Sequence, residues 1–204
     1  MANPSSTDCP LTSTTLELSG AGHVDFSDNA QCLPNLIQGS SAGDVIIGST
    51  ANANGVERID VKMDEGSWLS ALASTNEALR MVTVEGRDID GDGKAENGSL
   101  FIGDWNGRGS LKGDGSASTW TDAASLLSSG ANAGLVDVAV FDGASYAGDI
   151  NVAASITSHS YDKYLKGVDG DESGLGNPPV DGYDGFAYNT GAGDDVINMT
   201  VSGA

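Results

Sequence analysis

The residues Asp88-Ile89-Asp90-Gly91-Asp92-Gly93-Lys94-Ala95-Glu96-Asn97 place carboxylates at alternate positions and supply glycines where a sharp turn needs them. Alternation gathers Asp88, Asp90 and Asp92 around one point, the Lys94 carbonyl adds an oxygen, and Glu96 ligates directly or through water. Hard oxygen ligands in this spacing suit Ca2+. Position twelve of the loop is Ser99, not a bidentate glutamate, and both flanks read as strands, which excludes an EF-hand. The alternative is an acidic β-hairpin insertion whose carboxylates face only water.

A second acidic stretch runs from Val168-Asp169-Gly170-Asp171-Glu172 to Val180-Asp181-Gly182-Tyr183-Asp184. Asp169 and Asp171 alternate as in the first loop, and Asp181 and Asp184 are placed to close a cage. The Gly and Pro residues between them allow many geometries, so a solvated loop stays open as the other reading.

The elements that must position these loops are short strands. Apolar or alternating runs at Thr15 to Leu18, His23 to Phe26, Asp44 to Ile47, Glu57 to Met63, Met81 to Glu85, Ser99 to Ile102, Val136 to Phe141, Asp149 to Ala153, Phe186 to Tyr188 and Val196 to Val201 are separated by Gly, Asn, Asp and Ser clusters. Two segments read as helices, Ser67 to Arg80 and Thr119 to Ser129, because Trp68, Leu69, Leu72 and Leu79, and then Trp120, Ala123, Ala124 and Leu127, recur at helical spacing. Each helix precedes an apolar strand, a turn and a second strand: Leu79 to Gly86 with Gly98 to Ile102, and Leu135 to Gly143 with Gly148 to Val152. This internal repeat predicts stacked units that bury their apolar faces on one another. The expected fold is all-β with minor helix, a β-solenoid or parallel β-roll with two short flanking helices, the alternative being a β-sandwich. Residues 1–204 form one domain, with acidic insertions at about 88–98 and 158–185.

Near the end of the chain, Thr190-Gly191-Ala192-Gly193-Asp194-Asp195-Val196-Ile197-Asn198 resembles the nonapeptide G-G-x-G-x-D-x-U-x of calcium-binding RTX proteins, with Thr190 in place of the first glycine. A degenerate copy, Gly39-Ser40-Ser41-Ala42-Gly43-Asp44-Val45-Ile46-Ile47, keeps the Gly-Asp-x-apolar end. The repeated strands with such turns look like the β-solenoid body of RTX-type bacterial S-layer proteins and large secreted adhesins. That resemblance implies export, calcium between coils, and assembly on the cell surface. It makes Asp195 and Asp44 further ligand candidates, each needing a neighbouring coil to complete a site. The nonapeptide is not tandemly repeated, which departs from the family pattern.

Composition limits the alternatives. With 29 acidic and 9 basic residues the formal charge is -20, which repels nucleic acid and anionic membranes and favours divalent cations. No apolar run approaches the roughly 20 residues of a membrane span, and Met1 to Gly20 lacks the pattern of a Sec signal. Cys9 and Cys32 are the only cysteines; a disulfide between them or two free thiols are both open. His23 and His159 stand in no catalytic motif, and the chain reads as non-enzymatic, with a polysaccharide lyase or hydrolase as a remote alternative. The expected role is a secreted, calcium-binding structural or adhesive protein of the bacterial surface that self-associates. The alternative is a calcium-dependent carbohydrate-binding module in which Trp105 stacks on a glycan.

Overall fold

The computed structural model describes residues 13–25, 38–40, 43–47, 55–75, 78–103, 133–164 and 185–201. Its regular structure is almost entirely strand, and the strands form parallel sheets. The first sheet contains β1 (Ser13–Leu18), β5 (Arg58–Met63), β8 (Met81–Gly86), β11 (Val140–Asp142) and β13 (Ala187–Asn189), side by side in chain order and all parallel. Between visits to that sheet the chain visits the second. There β4 (Asp44–Ile47) pairs with β7 (Ala71–Ser74), which follows β6 (Ser67–Leu69) along one line. Next to that line lie β9 (Leu100–Ile102) and β10 (Gly134–Val136), then β12 (Ile150–Ile156), then β14 (Val196–Val201), again in chain order and all parallel. A small antiparallel pair, β2 (His23–Asp25) with β3 (Gln38–Ser40), forms a sheet of its own beside β6.

The side chains between the two sheets stack as ladders, while the first sheet turns its polar positions outward. Ile59, Val82, Phe141 and Tyr188 occupy one column of the first sheet, with the Phe141 and Tyr188 rings stacked 6.0 Å apart. Facing them in the same core cluster are Leu69, Ile102 and Val152, and Leu72, Leu135 and Ala154. The corner between the sheets is a ladder of glycines. A Cβ on Gly98 would stand 2.3 Å from the Gly66 nitrogen, one on Gly148 2.7 Å from the Gly98 oxygen, and one on Gly193 2.8 Å from the Gly148 oxygen. Strand spacing of about 4.8 Å therefore continues through the turn only where no side chain intervenes. Leu100 pairs with Ile150, so the repeat seen in Gly98 to Ile102 and Gly148 to Val152 is a direct register.

One line of the second sheet is interrupted. Ile150 to Val152 pair with Leu100 to Ile102, whereas Ala154 and Ser155 pair with Leu135 and Val136. The chain leaves at Gly103, whose N–H donates to the Leu69 carbonyl at 2.8 Å, and returns at Gly134, whose N–H donates to the Ser70 carbonyl at 3.0 Å. The edge line breaks at the same place: Trp68 N–H donates to Ala21 O at 2.7 Å and Ser70 N–H to Gly43 O at 3.0 Å.

Two expectations are corrected. Ser67 to Ser74, expected to be helical, is β6 and β7. Its apolar residues satisfy a helical spacing because β7 is buried on both sides, and a two-sided apolar run carries no strand alternation. The expected strand from Val136 to Phe141 is a corner, in which Asp137 adopts φ 58° between β10 and β11. The expected helix at Thr119 to Ser129 lies outside the described residues. A helix occurs instead at Ser158–Tyr164, within a stretch read as part of an acidic insertion. Thr157 is its cap residue, since its carbonyl accepts the Tyr161 N–H at 2.9 Å.

Candidate metal centre

The loop between β8 and β9 is wound around its own carboxylates. It opens and closes through Arg87 and Glu96, which form an antiparallel bridge, with Glu96 N–H donating to Arg87 O at 2.9 Å. Asp88 accepts the Gly91 N–H on Oδ1 at 2.7 Å and the Gly93 N–H on Oδ2 at 3.0 Å. Both glycines have positive φ, 75° and 83°, which lets the backbone curl back over Asp88. Asp90 Oδ1 accepts the Asp92 N–H at 3.0 Å, and Glu96 Oε2 accepts the Ile89 N–H at 2.9 Å. The result brings oxygens of Asp88, Asp90 and Glu96 within 4.8 Å of one another. Two oxygens on one calcium ion stand at most about 5 Å apart, so the spacing fits a single ion, with the remaining ligands supplied by backbone and water.

Asp92 lies outside this close group of three, and its Oδ1 accepts the Lys94 N–H at 2.8 Å.

The RTX-like turns are far apart. Asp44 begins β4 and Asp195 precedes β14, at opposite edges of the second sheet, about 19 Å apart at ordinary strand spacing. Asp195 Oδ1 accepts the Ile150 N–H at 2.8 Å, and Asp149 Oδ1 accepts the Asp194 N–H at 2.9 Å. These carboxylates join one turn to the next. Asp149 was not among the candidates, although Gly148-Asp149-Ile150 repeats the Gly-Asp-apolar pattern of Gly43-Asp44-Val45. Asp169, Asp171, Asp181, Asp184, Cys9, Cys32 and Trp105 lie outside the described residues.

Sequence reasoning also passed over the outward face of the first sheet. A polar groove of about 410 Å³ runs along it, bordered by Thr15, Arg58, Asp60, Lys62, Glu85 and Asp142. Arg58 Nε meets Asp60 Oδ1 at 2.6 Å, the Thr83 hydroxyl donates to the same oxygen at 2.6 Å, and Lys62 pairs with Glu85 at 2.9 Å. Burial alone would raise the Asp60 carboxyl, but Thr83, Arg58 and Lys62 together hold it below its ordinary value. Glu85 in turn raises the Lys62 ammonium.

No protein-family model, characterised protein or solved structure matches the chain. Among the described residues no helix is long and apolar enough to cross a membrane.

Proposed function

We propose that this chain is a calcium-stabilised β-solenoid that performs structural or adhesive work outside the cell, at a bacterial surface, without catalysis. The observation that carries the reading is the convergence of Asp88, Asp90 and Glu96 in the loop that joins β8 of the first sheet to β9 of the second. Identical strand order in both sheets supports the solenoid. The charge of -20 supplies the reason for an ion, since self-repulsion opposes compaction and bound calcium relieves it. The test is thermal unfolding with and without millimolar calcium, paired with light scattering. The expected result is a melting temperature raised by about 5–10 °C, the shift that about 2.7 kcal/mol of ligand stabilisation gives a chain of this size. An unchanged melting temperature would remove calcium from the reading.

The groove on the first sheet supports the second reading, a carbohydrate-binding module. Its hydroxyls, carboxylates and paired cations, with Val84 and Ala144 between them, form a mostly polar array suited to a hydroxyl-rich ligand. Glycan-array binding lost in Asp60→Ala, with the calcium shift unchanged, would favour it.

A further inference from the structure

We propose that the face formed by β13 and β14 binds a second copy of this chain, head to tail, on the opposite face formed by β1 and β4. The inference rests on the structural reading above and names the surfaces through which such a protein assembles.

Among the described residues no cap covers the end of the second sheet at β14. Ile197, Met199 and Val201 pair with Val152, Ala154 and Ile156, which are buried, yet they are themselves 39%, 42% and 47% exposed. Among the described residues β14 pairs only with β12, so its other edge carries unpaired backbone groups. Soluble proteins blunt such edges with charge, proline or bulges. Val196-Ile197-Asn198-Met199-Thr200-Val201 has none of these, and neither does Ala187-Tyr188-Asn189. In a chain of charge -20 these uncharged strands are where a like-charged copy can approach.

The opposite face matches. β1 and β4 likewise have neighbours on one side only among the described residues, and Leu16, Val45 and Ile47 pack only partly into the core. Because every pairing within the two sheets is parallel and in chain order, a head-to-tail copy extends both sheets without reversing a strand. The existing registers then fix the new one. Asp44 shares a column with Ala71 and Gly134, Gly134 lies beside Ala153, and Ala153 pairs with Asn198. By the same steps Val45 continues the Met199 column, and Thr14 continues that of Tyr188. In the second sheet Val45 meets Met199 and Ile47 meets Val201, apolar on apolar, and the Asn198 amide meets the Asp44 carboxylate as donor to acceptor; in the first sheet the small polar Ser13, Thr14 and Thr15 meet Ala187, Tyr188 and Asn189.

The test is sedimentation velocity of the full chain over a range of concentrations, in calcium and in excess chelator, with circular dichroism confirming the fold of each variant. Wild type is expected to form species larger than one chain, and Met199→Lys and Val45→Glu each to remain single. Asn198→Asp sets two carboxylates against each other and raises the concentration of half-assembly about fivefold. Adding Asp44→Asn to Asn198→Asp restores donor to acceptor and returns assembly to the wild-type range. Both positions of this pair are polar and outside the core, so the pair tests the register if Val45→Glu fails to fold. A wild-type chain that stays single at every concentration overturns the proposal. So does assembly unaffected by Met199→Lys, loss in Met199→Lys without loss in a folded Val45→Glu, or no recovery in the double variant. Assembly that follows these rules in chelator as well as in calcium leaves the interface standing and shows that it forms without the ion.

Discussion

Single residues hold the turns of this chain together, and their effects separate by chemistry. Asp137 is buried and left-handed; its Oδ1 accepts the Thr157 N–H at 2.7 Å and its Oδ2 the Thr157 hydroxyl at 2.8 Å. Asp137→Ala strands a buried N–H and hydroxyl and forces alanine into αL, so unfolding titrations should show about 2–4 kcal/mol of lost stability. Asp137→Asn keeps an acceptor and tolerates the backbone, so it should cost clearly less. Tyr146 donates its hydroxyl to the Gly98 carbonyl, and burial, with Asp149 and Asp64 nearby, pushes its pKa up to about 12. The folded state therefore holds this proton more tightly than the unfolded chain, whose tyrosine titrates near 10. The contribution is complete below pH of about 10 and is lost as pH rises toward about 12. Tyr188, half-buried with its hydroxyl turned inward to donate to Val138 O at 2.7 Å, is also shifted upward. Chemical-denaturation stability measured across pH 9 to 12 should fall for wild type and fall less steeply for Tyr146→Phe, with Tyr188 and the Lys62 ammonium, both also raised, contributing to the remaining slope.

At the scale of elements, what could be read in the sequence depended on whether a strand had one polar side. Val196 to Val201 and Arg58 to Met63 were read correctly because alternation or turn residues mark them. Ser67 to Ser74 shows no period of two because β7 packs on both faces and Ser67, Ser70 and Ser74 are buried with the apolar residues. Asp137 hid a corner because a single polar residue inside Val136 to Phe141 looks like the outward position of a strand. The close approach of Asp88, Asp90 and Glu96 was legible because the glycines and carboxylates of the loop act locally, whereas the turn of Asp92 toward the Lys94 N–H has no mark in the sequence. The ligand set of the loop yields a graded expectation. By isothermal titration, Asp88→Asn with Asp90→Asn should abolish the calcium heat of this loop, whereas Asp92→Asn should weaken binding by less than tenfold. Equal losses would mean that Asp92 turns away from the Lys94 N–H onto the ion.

For the molecule as a whole, charge and topology pull in opposite directions. Parallel strands stack at about 4.8 Å, which brings the turns of successive layers within one screening length of each other even at 0.1 M salt, where that length is about 10 Å. Arg58, Lys62, Arg80 and Arg87 each sit against a carboxylate on the first sheet, so few cations remain to offset the surplus of acid. Monovalent salt should therefore raise the melting temperature gradually by screening alone. Calcium should raise it further at concentrations too low to screen, because an ion held by Asp88, Asp90 and Glu96 acts at one point with its full charge. Magnesium separates the two effects: it screens as calcium does but demands octahedral geometry at about 2.1 Å and gives up its water reluctantly. A melting series in sodium, magnesium and calcium chlorides at matched ionic strength should place calcium well above the other two. Coincident magnesium and calcium curves would show that the acidic loop contributes only its share of the general field, and that stability follows from net charge alone.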